Sequence, residues 1–189
     1  MNTYDEWACS YALGVVQCAK KAKMTEHGLV LLTIPGSRKK SFFRAEDSQS
    51  SEWFEKYKVF EDGLLWLSKS NDTNMLLRIE DFKMSDWFVT FEVLRDGLWL
   101  LTGQHDIKTF FSTNYFETFL WFKDYEKLRN GIFVLTSLNN EINFFNPKTL
   151  KSSGWMSLKS YSLKGRCIRL SFEFGLCATL DLDSFKLSP

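Results

Sequence analysis

Tryptophan stands at residues 53, 87, 121 and 155, and glycine at 63, 97, 131 and 165, so two columns ten residues apart recur at intervals of 34. A fixed period of this length marks a repeat architecture, in which one supersecondary unit cannot bury its faces alone and needs neighbours of its own kind. The columns between agree in chemistry. Each Trp is followed by Phe54, Phe88, Phe122 or Met156, and three positions further on stand Tyr57, Phe91 and Tyr125, with Lys159 the exception. The glycines follow Asp62, Asp96, Asn130 and Lys164. Asp-Gly and Asn-Gly accept positive φ at a tight turn, so the first three of these units announce a hairpin corner.

After each corner comes an apolar strand: LLWLS from 64, LWLLT from 98, IFVLT from 132 and RCIRL from 166. A polar tip follows, then the paired residues Leu76–Leu77, Phe110–Phe111 and Phe144–Phe145. An earlier unit fits the same template, with Gly28 in HGLVLLT and the aromatic pair in SFF at 41–43. Its glycine lies 35 residues before Gly63 because the tip IPGSRKK holds one extra residue, and tips tolerate insertion. The unit that starts at Trp155 departs furthest, as terminal repeats do. Each unit is thus a β-meander of three strands, with room for a short fourth in the connector. WFKDYEKLRNG, from Trp121, also fits a helical period, but its aligned neighbour WFVTFEVLRDG alternates, and strand is the reading for both. Residues 5–22 differ: Trp7, Ala8, Tyr11, Ala12, Val15 and Val16 share one face of a helix that Lys20 and Lys21 close.

The expected fold is all-β: a β-propeller-like array of four to five 34-residue meanders behind an N-terminal helix. It forms a single domain over 1–189, with the helix in 1–22 and the repeats in 23–189. A linear solenoid and a β-barrel or twisted meander sheet are the alternatives. In the propeller reading the four tryptophans occupy equivalent, largely buried places. Residues 131–155, GIFVLTSLNNEINFFNPKTLKSSGW, resemble the PQQ-like and related propeller repeats, in which two strands around an Asn- or Gly-rich tip lead through a Pro-Lys-Thr turn to a Trp. Leu150 stands where that family has glycine, and no residue matches one that would bind a quinone. The resemblance therefore implies the architecture and no cofactor.

With 24 basic against 23 acidic residues the net charge is +1, so no global field favours nucleic acid or an anionic membrane. Aromatic content of 16% suits pleated surfaces. Cys9, Cys18, Cys167 and Cys177 form no CxxC pair and have no nearby His to complete a zinc set, which reads as reduced, packed thiols. Asp5 and Glu6 stand where a signal peptide is basic. No apolar run of 18 residues exists. A cytoplasmic location is the expectation.

Catalytic constellations are sparse. His105 sits beside Asp106 in the tip GQHDI, His27 precedes the Gly28 corner, and DLDSF at 181–185 places two carboxylates two apart. The sequence holds no GxGxxG, Walker loop or nucleophile elbow. SRKKSFFR at 37–44 is a local basic cluster, opposed at once by AEDSQSSE. What varies between units is the tips, while the frame persists, and varied loops on a constant frame build recognition surfaces. The expectation is a non-enzymatic protein-binding module that needs no cofactor or metal. Its candidate contacts are the tip residues Arg38, Lys39, Lys40, His105, Asp106, Asn139 and Asn140. An immunity protein that blocks a toxin is a specific form of this reading, and a lectin-like carbohydrate or small-ligand binder is its rival.

Overall fold

The computed structural model describes residues 21–189 except 35, 61, 62 and 96. The helix expected over 1–22 lies, up to residue 20, outside the described residues, while Lys21 and Ala22 belong to a strand. Among the described residues the chain forms five antiparallel sheets. The first is β1 (Lys21–Met24), β2 (Val30–Thr33), β3 (Lys40–Arg44) and β4 (Gln49–Ser50). The second holds β5 (Lys56–Val59), β6 (Leu64–Ser68) and β7 (Asn74–Arg78), with the single bridge Leu77–Met84 where a fourth strand would lie. The third holds β8 (Thr90–Arg95), β9 (Leu98–Thr102), β10 (Lys108–Ser112) and β11 (Glu117–Thr118). The fourth holds β12 (Asp124–Lys127), β13 (Phe133–Thr136), β14 (Ile142–Asn146) and β15 (Lys151–Ser152). The fifth holds β16 (Ser160–Lys164), β17 (Cys167–Ser171), β18 (Cys177–Asp181) and β19 (Leu187–Ser188). Sequence neighbours are sheet neighbours throughout, so the fold is an all-β, propeller-like array of meanders. Two compact units divide it: Met1–Phe91 with Ser112–Thr118, and Glu92–Phe111 with Phe119–Pro189.

Turn chemistry sets the meander. Positive φ recurs at the corner glycines Gly28, Gly63, Gly97, Gly131 and Gly165, at the tip residues Asp72, Asp106, Asn140 and Phe174, and in the connectors at Ser48, Phe82, Phe116, Leu150 and Phe185. Leu150, in the glycine place of the resembled repeats, keeps the left-handed backbone at φ 58°. A bulky residue there costs about 1–2 kcal/mol. Phe82 and Phe116 are buried, and burying such a ring returns about 1.5–3 kcal/mol, so packing holds the turn that glycine would otherwise supply.

The dipeptide at the start of each Trp unit is where the chain changes sheets. Phe54, Phe88, Phe122 and Met156 form isolated bridges with Lys40, Asn74, Lys108 and Ile142, the first residues of β3, β7, β10 and β14. Each bridge is a reciprocal pair of backbone hydrogen bonds of 2.6–2.8 Å. One residue later the next sheet begins, with Glu55 N donating to Ser68 O at 2.7 Å and Lys123 N to Thr136 O at 2.8 Å. A serine column completes the third strands: Ser51, Ser85 and Ser153 accept through Oγ from the amides of Phe42, Leu76 and Phe144 at 2.9, 2.9 and 3.0 Å. These hydroxyls satisfy buried amides that would otherwise cost about 1–3 kcal/mol each.

Sheets pack face to face. In the first unit Leu29, Phe42 and Phe54 meet Leu65, Leu67, Met75 and Leu77. In the second, one cluster joins Leu98, Leu100 and Phe110 to Phe133, Leu135 and Phe145, and another joins Ile132, Val134 and Phe144 to Ile168, Leu170 and Leu180. Rings concentrate at these seams. Phe110 lies 5.0 Å, centroid to centroid, from each of Phe122, Phe133 and Phe145. The first-strand aromatics stand edge-on to the preceding sheet in Phe42–Tyr57 at 5.1 Å, Phe110–Tyr125 at 5.9 Å and Phe144–Tyr161 at 5.3 Å. Tyr161 therefore fills the aromatic place that Lys159 leaves open in the sequence columns, two residues further along.

The tryptophans differ from expectation. Trp53, Trp87, Trp121 and Trp155 do take equivalent places, each just before a sheet switch, but all four are only half-buried. The following column is the buried one, with Phe54 1%, Phe88 0% and Phe122 0% exposed. Phenylalanine has no polar atom to satisfy and goes inside, while an indole N–H keeps its residue near polar groups.

Candidate functional site

In the first unit two hairpin tips flank an indole. The first tip joins β2 to β3 and is closed by Ile34 N to Lys39 O at 3.1 Å. The second joins β6 to β7 and is closed by Lys69 N to Thr73 O at 2.9 Å. Trp53 lies in a cleft of about 550 Å³ whose walls include Lys39 from the first tip, Lys69, Ser70 and Asn71 from the second, and Glu52.

Polar contacts fix one wall of this cleft. Lys69 Nζ is 3.1 Å from Glu52 Oε2 and 3.7 Å from the centroid of the Trp87 ring, and Trp87 Nε1 donates to the same Glu52 oxygen at 2.6 Å. A cation shared between a carboxylate and an indole face is held by both charge and quadrupole. Behind it, Trp66 Nε1 donates to Ser68 Oγ at 2.9 Å and to Asn74 Oδ1 at 2.8 Å, while Asn74 Nδ2 donates to Asp72 O at 3.1 Å and Val89 O at 3.0 Å. Thr73 Oγ1 donates to Asn71 Oδ1 at 2.7 Å. The second tip thus stands on a connected network and is positioned before any partner arrives.

Of the residues expected from sequence, Arg38 and Lys39 are exposed on the first tip, and Lys39 reaches the cleft. Lys40 has a structural role instead, since it opens β3, pairs with Phe54, and donates from Nζ to Glu55 O at 3.2 Å. Lys108 repeats that contact on Lys123 O at 3.3 Å. In the second unit His105 and Asp106 lie in a single 3-10 turn, both exposed and both left-handed. They are not on a strand. Asn139 and Asn140 are exposed on the β13–β14 tip, whose turn is organised by Ser137: its Oγ accepts from Asn139 N at 3.1 Å and Glu141 N at 3.0 Å.

Sequence reasoning missed Trp53, Glu52 and Lys69 as one site, because Lys69 stands on a different hairpin from the adjacent Glu52 and Trp53. It also missed the β17–β18 tip, where Phe174 is 99% and Leu176 68% exposed. Two apolar residues where the aligned tips are polar were the available signal. A second cavity, about 320 Å³, lies at the corner end of the first unit beside His27, Met24 and Tyr57. Asp181 and Asp183 serve a terminal turn: Asp181 Oδ1 accepts from Ser184 N at 2.7 Å and Oγ at 2.6 Å, and Asp183 pairs with Arg166 at 3.3 Å. Among the described residues no three His, Cys, Asp or Glu side chains gather to hold a metal ion. Cys167 and Cys177 are free thiols. No helix among them is long and apolar enough to cross a membrane.

No family model and no curated protein matches this chain. Similar solved structures include Hsv2 of Kluyveromyces lactis with its complete loop 6CD, at 11% identity over 91% of this chain and 62% of that one, with a TM-score of 0.29. The WD40 β-propeller domain of Doa1 matches at 10% identity over 85% and 62%, TM-score 0.27. The dihydro-heme d1 dehydrogenase NirN in complex with DHE matches at 8% over 90% and 46%, TM-score 0.31. The chain thus spans less than two thirds of the length of each. At these TM-scores the likeness carries no argument.

Proposed function

We propose that the protein is a non-enzymatic protein-binding module that holds its partner at the hairpin tips. The observation that carries this reading is Trp53, half-buried in a cleft between two tips of which one is braced by the Glu52–Lys69–Trp87 contacts. A rigid aromatic anchor beside fixed polar groups is the usual centre of an interface, where a few such residues dominate binding. Exposed Arg38 and Lys39 add positive charge at its rim, which steers a partner carrying acidic groups. Tagged full-length protein is used to capture partners, and the captured partner is purified and titrated against Trp53→Ala, Lys39→Glu and the distant control Lys159→Ala. Loss of at least tenfold in affinity for the first two, with the control unchanged, is the expected result. No stable partner, or equal affinity for all forms, overturns the reading.

Blocking a toxin as a cytosolic immunity protein or antitoxin is one specific form of this role. Rescue of growth when the captured partner is co-expressed tests it. A carbohydrate-binding reading has its own support in Ser70 and Asn71, polar residues that line the same cleft as Trp53. A glycan array followed by tryptophan-fluorescence titration separates the two.

A further inference from the structure

One seam of the first unit is open where its counterparts are filled. The corner of the first sheet is closed by Thr25 N to Leu29 O at 2.7 Å, and the same bond runs from Phe60 N to Leu64 O and from Leu128 N to Ile132 O, both at 2.8 Å. With Leu94, these residues form one column, Thr25, Phe60, Leu94 and Leu128, at intervals of 35, 34 and 34. In the second unit the column supplies an apolar plug. Leu94 packs against the core between the third and fourth sheets, and Leu128 against that between the fourth and fifth. Thr25 is the small, polar exception, and its Oγ1 accepts from Leu29 N at 3.2 Å. The cavity of about 320 Å³ opens at this residue.

The cavity has an apolar body and one spare cation. Leu29, Phe42 and Leu65 line it and are buried, while Met24, Tyr57 and Val59, also on its wall, are 50%, 39% and 39% exposed. Large apolar side chains left wet around one hollow mark a ligand site, and the volume lies at the small end of such sites, which begin near about 300 Å³. Of the charged residues on the wall, Glu26 Oε1 stands 3.4 Å from His27 Nε2, so these two answer each other. Lys23 has no ion-pair partner among the described residues. Its ammonium is the group on this wall that an anion can take.

We propose that this cavity binds a small carboxylic acid with an apolar body. The body fills the place of the missing plug, against Phe42 and Tyr57, and the carboxylate pairs with Lys23. Buried apolar surface supplies the affinity, and the charge-assisted contact selects acid over alcohol. The cavity shares no residue with the Trp53 cleft, so the proposal stands or falls independently of the partner-binding reading.

Titration of the full chain with hydrocinnamate, followed by calorimetry and amide chemical shifts, tests it. The expected result is one saturable site whose shifts map to β1, β5 and the corner between β1 and β2. Hydrocinnamyl alcohol, the same body without the charge, should bind about fivefold more weakly, as suits an exposed ion pair. Thr25→Leu, which restores the plug, should weaken hydrocinnamate at least tenfold. Lys23→Ala should weaken it about fivefold and leave the alcohol unchanged, and Trp53→Ala should bind both as the wild type does. Lys23 is exposed, so its variant keeps the test alive if Thr25→Leu fails to fold. No saturable binding, shifts that map elsewhere, or binding indifferent to Thr25→Leu or to Lys23→Ala overturns the proposal.

Discussion

Strands β13 and β17 hold the same place in successive repeats, yet Phe133, Val134 and Leu135 are all buried, whereas β17 alternates, with Ile168 and Leu170 inside and Arg169 exposed. Leu135 and Arg169 stand 34 residues apart in one column. The strands differ because the fourth sheet has a packed sheet on each face and the fifth carries its apolar cluster on one. A strand covered on both sides loses the period-two signature, and one covered on a single side keeps it. The hydrophobic pattern thus counts a strand's neighbours as well as naming its type.

The sharpest blow to this contrast should come from Phe144→Ala. That ring is fully buried on the fourth-sheet face toward the fifth and stands 5.3 Å from Tyr161, so its loss should cost about 3–5 kcal/mol in denaturant unfolding. Leu135→Ala should follow at about 2–5 kcal/mol. Equal midpoints for Leu135→Ala and Arg169→Ala would break the comparison outright. Ser153→Ala removes the acceptor for Phe144 N and should cost about 1–3 kcal/mol, seen also as faster exchange at that amide.

Two connector turns differ in how their carboxylates are held. Asp81 and Asp183 share a column, but Asp81 takes hydrogen bonds from Arg78 at 2.8 and 2.5 Å, whereas Asp183 meets Arg166 in an open pair at 3.3 Å. The Arg78 guanidinium lowers the Asp81 carboxyl to about 2. Its folded value lies below the unfolded carboxylate's, so the contribution is complete above about pH 4 and fades as pH falls toward 2. Solvent screening keeps it to about 1 kcal/mol at most. Asp81→Asn should flatten stability over that window. Smallest of all, Arg169→Ala should move stability within about 0.5 kcal/mol.

The period, the corner glycines and the meander order were legible because each rests on local backbone chemistry repeated at a fixed interval. The serine column was hidden: Phe119 breaks it, and a serine's bond to a strand amide nine residues back leaves no mark in composition. For the tryptophans ring size suggests burial, while the N–H that keeps Trp87 on Glu52 argues the other way, and the second effect wins. Tyr161 was missed because the last connector is longer. For the site, exposure of the tips could be read from their polarity, but not the cleft around Trp53. It joins Lys39 to Asn71, residues brought together only when one sheet packs on the next. Lys40 looks like its neighbours in the basic cluster, and only its pairing with Phe54 sets it apart as part of the frame.

The sheet switches at Phe54, Phe88, Phe122 and Met156 are interchangeable joints, each made by two backbone bonds, and at the first three the side chain of Lys40, Asn74 or Lys108 adds a bond to the carbonyl just beyond. A gene segment copied or deleted between two such joints would splice without a scar, so an array of this design can grow or shrink by whole modules through recombination while every remaining junction stays the same.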